Sequence, residues 1–337
     1  MKKIVFLLAI FALAVSMVFA GGDKEGMASD SGMKQYTIAT VVKLDGIAWF
    51  DRMREGVDKF AQDTGHDAYL IGPAKADAAL QVQMIDNLIA QGVDAIAVVP
   101  FSPESLEPVL KKAMDAGIVI VVHEATSQQN THAIIEAFQN KDFGKQMAER
   151  LVKSMGGKGE MSSVVGSLTS KSHNEQQDGV EEYIKDFPDI KLVSPRNEDY
   201  DDQTRSYEIT KELLTAYPNL KGMVGSPSSM PPGAGLAVDE RKLQDKVSIV
   251  GVTVPSLARD LIKTGAIDTI AFWDPADAGY AMNIIAVKLL NGEEIKNGAD
   301  LGIKGYNSLK QDAGNPKLFF GEAWVFVDKT NIDQYNF

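Results

Sequence analysis

The chain has 337 residues, 45% of them hydrophobic, with 34 basic and 46 acidic side chains and a net charge of −12. That balance argues against nucleic acid and against anionic membrane surfaces as partners. There is no cysteine, which excludes disulfides and anchoring through a lipid-modified cysteine, so stability rests on packing.

The first residues read as an export signal. Lys2 and Lys3 precede the apolar run "IVFLLAIFALAVSMV", and "VFA" before Gly21 has the small-x-small form of a cleavage site. The pattern predicts a signal peptide over 1–20, cut after Ala20, and a periplasmic location. The apolar run is short for a membrane span and the small-residue site follows at once. Cleavage leaves 32 basic against 46 acidic side chains, or −14. Residues 21–34, "GGDKEGMASDSGMK", are polar and Gly-rich and predict a disordered leader. About 300 residues follow, enough for two domains.

From residue 35 the pattern alternates between strand and helix. "QYTIATVV" (35–42) predicts a strand and 48–65 an amphipathic helix stopped by Gly65. "DAYLIG" is a strand, 77–92 a helix and "DAIAVVP" a strand. Residues 102–117 form a helix with Ser102 as cap and Pro103 at its first position. "IVIVVHEAT" (118–126) is a strand whose apolar run ends in His123 and Glu124. Short β-branched runs between helices of this length predict parallel strands covered on both faces, an α/β doubly wound lobe.

The pattern then repeats. "MREGVDKFAQDTGHDAYLIGP" (53–73) is echoed by "QQDGVEEYIKDFPDIKLVSPR" (176–196), and 84–100 by 209–227. Two similar lobes in tandem follow from this. Beyond 227, strands at 247–254, 266–275 and 322–328 and helices at 255–265 and 276–293 exceed what a simple tandem needs. The extra helix at 276–293 is placed back on the first lobe.

In open parallel sheets, ligands bind beyond the carboxyl ends of the strands. The segments there supply the candidates: Lys43, Asp45, Trp49 and Phe50; His123 and Glu124; Ser172, His173 and Asn174; Ser226 and Ser228; Thr253; Trp273 and Asp274. Carboxylates and amides take hydroxyls pairwise and flat rings stack on C–H faces, so this composition suits a polyol. Asn174 and Asp274 are equally placed to cap helices, and one of Trp49 and Phe50 is expected in the core.

Enzymatic readings have little to stand on. No G-x-S-x-G elbow occurs, and adjacent His123 and Glu124 on a strand point to opposite faces. None of the four histidines is spaced i, i+4; His123 and His173 are placed to meet across a cleft, which keeps zinc open as a minor alternative. Neither a catalytic residue, a metal nor a cofactor is assigned.

The signal peptide, the tandem repeat, "GVDAIAVVPFSPESLEPVLKKAMDAGIVIVV" and "FWDP" together resemble the sugar-binding periplasmic proteins of ABC importers, the ribose-binding type, over residues 35–337. "VVKLDGIAWF", "FWDPADAGY" and "NIDQYNF" are most similar to the subgroup of autoinducer-2-binding and rhamnose-binding proteins. The resemblance implies the type I periplasmic-binding-protein fold, with crossings near 125–130, 255–271 and 305–310. Lobe 1 is then 35–127 plus 272–305, and lobe 2 is 128–271 plus 306–337.

The resemblance also implies a monomer that closes on one small ligand and delivers it to a membrane permease. Autoinducer-2 binders of this kind use a lysine where Lys43 stands and an aspartate where Glu124 stands. They have aspartate and glutamine at Ser172 and His173, and proline and alanine at Ser226 and Ser228. These departures point to a monosaccharide or related polyol. Autoinducer-2 binding, or a sensory module for a chemoreceptor or sensor kinase, are the alternatives.

Overall fold

The computed structural model describes residues 34–337; the expected signal peptide and its cleavage site, with all but the last residue of the leader, lie outside the described residues. The chain opens with β1 (Thr37–Val41), α1 (Ala48–Thr64), β2 (Asp67–Ile71), α2 (Ala78–Gln91), β3 (Ala95–Val98), α3 (Pro103–Asp115), β4 (Val119–Val122) and β5 (Ala133–Glu136). It continues with α4 (Asn140–Ser154), β6 (Gly159–Val165), α5 (Lys171–Ile184), β7 (Ile190–Leu192), β8 (Asn197–Glu198), α6 (Gln203–Ala216), β9 (Leu220–Gly225), α7 (Met230–Glu240), β10 (Ser248–Val252), α8 (Pro255–Thr264) and β11 (Thr269–Phe272). The last elements are α9 (Pro275–Leu290), β12 (Lys310–Gln311), β13 (Leu318–Phe320) and β14 (Val325–Val327).

Two sheets result, ordered β12-β13-β5-β4-β3-β1-β2 and β14-β11-β10-β9-β6-β7, the second with β8 beside β6. Each is parallel apart from one edge strand, β12 against β13 and β14 against β11. The central strands are buried on both faces: β3 and β4 read Ala-Ile-Ala-Val and Val-Ile-Val-Val, almost wholly inaccessible. Helix boundaries fall within three residues of the sequence pattern, and Gly65 ends α1 with a left-handed φ of 74° that glycine adopts without strain. Ser102 precedes α3 as expected, but its hydroxyl meets Ser105 and makes no backbone cap.

The lobes exchange chain at three places, and these differ from the sequence expectation. β5 pairs with β4, so the first crossing is at 137–139, past 125–130. The second is at 273–274, between β11 and α9, and the third at 321–324, between β13 and β14. Two short segments caused the error. "AIIE" is only four residues long, and β13, which pairs with it, and the edge strand β12 come from far along the chain. One aromatic from each crossing joins a cluster: Phe138, Trp273 and Trp324, with ring centroids of Phe138 5.2 Å from Trp273 and 5.7 Å from Trp324.

The glycines of the tandem repeat have a packing reason. A Cβ at Gly56 on α1 would lie 1.9 Å from the carbonyl oxygen of Ala276 on α9. One at Gly179 on α5 would lie 2.0 Å from that of Lys141 on α4. Each glycine thus lets its helix touch a neighbouring backbone, and α9 does pack on lobe 1 as α4 packs on lobe 2. Among the described residues no helix is long and apolar enough to cross a membrane.

Candidate functional site

The carboxyl ends of the strands of both sheets face one another across a small cavity. It is lined by Lys43, Ile47, Trp49, Phe50, Glu124 and Trp273, and from lobe 2 by His173, Asp201, Ser226, Ser228 and Val252. Larger grooves open elsewhere, between α4, α8 and β14 and between α1 and α9, but these are open to solvent and hold no strand-end residue of the first sheet.

The lobe 1 side is anchored by charge. Lys43 follows β1 and Glu124 follows β4; Nζ lies 2.9 Å from a Glu124 carboxylate oxygen, with side chains 4% and 3% exposed. Burial opposes the lysine's charge, but Glu124, with Asp201 and Asp199 beyond it, outweighs that and raises Lys43 above its ordinary pKa. Glu124 sits at φ 61°, a left-handed conformation that costs a non-glycine residue and recurs at ligand sites.

On the lobe 2 side, His173 sits in the first turn of α5. Its Nδ1 accepts the Gly166 backbone N–H at 3.0 Å, so in the neutral ring Nε2 carries the hydrogen. Burial, with the Lys43 ammonium beside it, holds the imidazole well below its usual range and keeps it neutral. Nε2 is 3.4 Å from Lys43 Nζ, a contact between two donors, so this N–H faces the cavity able to donate to a ligand oxygen. The Ser226 hydroxyl donates to the His173 carbonyl at 3.3 Å and accepts from Gln177 at 2.8 Å. Trp49 and Trp273 meet edge to face at 4.7 Å and, with Phe50, form the aromatic wall; all three are also core residues.

The structure therefore brings Lys43, Trp49, Phe50, Glu124, His173, Ser226, Ser228 and Trp273 around one space. Six expected residues serve other ends. Asp45 is half-buried beside Arg54, whose Nη2 donates to it at 2.6 Å. The His123 Nδ1–H donates to the Ile135 carbonyl at 2.6 Å, which leaves Nε2 to accept the Trp273 indole N–H at 3.2 Å. His123 thus orients Trp273 from behind the cavity, while His173 faces Lys43; the two histidines share no partner. Ser172 is fully buried with its hydroxyl unpartnered among the described residues, outside the cavity lining. Asn174 donates to the Ser167 and Ser170 carbonyls and accepts from Arg196. Thr253 donates to the Ser228 carbonyl at 2.7 Å, fixing that loop. Asp274 caps α9 through the Ala276 N–H at 2.9 Å and holds Arg52 through both oxygens, at 2.9 and 2.6 Å.

Ile47, Val252 and Asp201 are additions. Asp201 follows β8, whose two residues give no strand pattern, so it reads in sequence as the approach to α6. The trace it leaves is the acidic run "EDYDD" just before a helix. Its neighbour Asp199 accepts from Ser206 and, at 2.6 Å, from Ser229. Burial first, then the Asp201 charge, push the Asp199 carboxyl up to about 7. Burial also raises Asp201, with Lys43 opposing and Glu124 adding to the shift.

Known proteins agree with this architecture. The profile of the family described as periplasmic binding protein domain matches residues 38–294. The D-allose-binding periplasmic protein of Escherichia coli is 26% identical over 75% of this chain and 84% of its own length. The xylitol-binding protein of Mycolicibacterium smegmatis is 24% identical over 88% of this chain and 82% of its own. Among solved structures, LsrB from Clostridium saccharobutylicum in complex with AI-2 superposes with a TM-score of 0.83 at 20% identity, covering 89% of this chain and all of that one. A solute-binding protein from Clostridium phytofermentas with bound L-rhamnose gives 0.82 at 21%, covering 90% and 98%. At these identities the structures establish the fold.

Proposed function

Because the chain belongs to the periplasmic binding protein domain family, we propose that it is an extracytoplasmic receptor that captures one monosaccharide or related small polyol and delivers it to the permease of an ABC importer. The observation that carries this reading is the pairing of Lys43–Glu124 from one lobe with His173 and Asp201 from the other around one small cavity, walled by Trp49, Phe50 and Trp273. Acceptors on both lobes take ligand hydroxyls, the His173 N–H donates to a ring or hydroxyl oxygen, and the rings cover C–H faces. No bond of the ligand is broken.

Closure is the working step. Both lobes contribute to the cavity, so a ligand held by both favours the closed arrangement by its differential affinity for it. Contacts between the lobes stand ready: Thr126 donates to Glu175 at 2.6 Å, and the Arg52 guanidinium lies 4.2 Å from the centre of the Phe337 ring. The three crossings at 137–139, 273–274 and 321–324 are the hinge in this reading, and export through residues 1–20 delivers the chain to the periplasm.

Mass spectrometry of small molecules released from the protein, purified without added sugar, tests the reading. A co-purifying polyol supports it; a released phosphate ester or peptide refutes it. Autoinducer-2 belongs among the standards because Lys43, which the resemblance ties to that ligand, does line the cavity.

A further inference from the structure

Among the described residues, Asp201 is the only acid that lobe 2 contributes to the cavity lining. The residue is 8% exposed, and its Oδ2 has no hydrogen-bond partner among the described residues. The nearest cation, Lys43, is already held by Glu124 at 2.9 Å. Its other neighbour, His173, offers no charge, since Nδ1 is occupied by the Gly166 N–H. Asp199, two residues back, adds a second acid, itself satisfied by Ser206 and Ser229.

The backbone is arranged to hold the carboxylate there. Tyr200 and Asp201 stand at φ 55° and 57°, two consecutive left-handed non-glycine residues, a conformation that persists only when its surroundings impose it. Gly166 leaves the room: a Cβ there would lie 2.8 Å from Asp201 Oδ2 and 3.0 Å from His173 Nδ1. A buried carboxylate with an oxygen lacking a donor costs a fold more than an amide of the same shape, and the Lys43 charge that offsets part of this is shared with Glu124.

Resting on the polyol reading above, we infer that Asp201 is a specificity-determining residue that takes hydrogen-bond donors from the ligand, a pair of hydroxyls or an amino group, and turns away ligands that bring an acid. The lining counts one positive group, Lys43, against two acids, Glu124 and Asp201. A sugar acid or sugar phosphate would set a third negative charge beside them with the one lysine already paired. A neutral polyol satisfies Oδ2 without adding charge, and an amino sugar also neutralises it.

Asp201→Asn, which keeps the shape, separates the possibilities. Without ligand at pH 7.5, the variant is expected to melt several degrees above wild type; an equal or lower Tm would make Asp201 a structural partner of Lys43 and overturn the inference. A thermal-shift panel then compares matched neutral, amino and acid forms: galactose, galactosamine and galacturonate; glucose, glucosamine and glucuronate; and xylitol. Wild type is expected to respond to at least one neutral or amino member and to neither uronate. Asp201→Asn should bind that member at least tenfold more weakly. A uronate that stabilises wild type as well as its neutral parent overturns the inference and leaves the polyol reading standing. A panel with no response from any neutral or amino member overturns the polyol reading, and the selectivity with it.

Discussion

Lys43 and Glu124, 2.9 Å apart and buried at the ends of β1 and β4, neutralise each other within the first lobe. A buried pair of this kind gives little net stability, but removing one partner strands the other. Glu124→Ala should therefore cost about 3–5 kcal/mol in ligand-free protein, and Lys43→Met with Glu124→Leu should recover most of it. Urea denaturation of the three proteins checks this. A neutral Glu124→Ala would show that water reaches the pair.

Asp274 has a different consequence. Its carboxylate caps α9 and grips Arg52, and it does not line the cavity. Asp274→Ala should cost about 1–2 kcal/mol through the lost cap alone. Titration calorimetry of this variant should find the ligand bound with affinity reduced far less than in Glu124→Ala. Complete loss of binding in a folded Asp274→Ala protein would put the residue back in the site.

The second lobe's acid pair links stability to pH. Asp199, pushed up to about 7 by burial and by Asp201, takes up its proton in the folded state before the unfolded chain does near 4. Its contribution is complete below the unfolded value and is lost as pH rises through about 7. His123 and His173, held low by burial, act oppositely: unfolded histidine charges below about 6.5 while they stay neutral, so their effect is a loss on acidification. Subtracting the Tm–pH curve of Asp199→Asn from that of wild type isolates the acid. The difference should favour wild type increasingly from pH 8 to pH 5; a flat difference would mean that Asp199 is ionised throughout.

All three tryptophans of the chain lie at the cavity or the hinge: Trp49, Trp273 and Trp324. Intrinsic fluorescence should therefore report closure, with an emission change on ligand addition that saturates with binding. Trp273→Phe should remove most of it, because that ring touches the cavity, Trp49 and Phe138 together. A full signal retained in Trp273→Phe would locate the change elsewhere.

Most of the scaffold is legible in the sequence because local rules decide it. Gly65 stops α1, β-branched runs mark β3 and β4, and the echo of Gly56 in Gly179 marks two helices that each need a close neighbour. The crossings were less legible. β5 has four residues and β13 three, and their places depend on pairing with each other across the length of the chain.

The site divides in the same way. Strand-end position finds Lys43, Glu124 and His173, but polar residues there also cap helices and tie loops. His123, Asn174 and Asp274 do that work instead, and only three-dimensional contacts separate the two uses. Asp201 escaped because a two-residue strand has no periodicity to announce its end.

The central claim, that the two lobes close on a small polyol held by Glu124 and its neighbours, is tested most directly by a thermal-shift screen of pentoses, hexoses, deoxyhexoses, alditols and autoinducer-2, run on wild type and Glu124→Gln. One compound should stabilise wild type by about 2.7 kcal/mol at a hundredfold excess over Kd, which is roughly 5 °C or more in Tm. The same compound should leave Glu124→Gln, folded by circular dichroism, unmoved. No response to any compound, or an equal response in both proteins, would contradict the account.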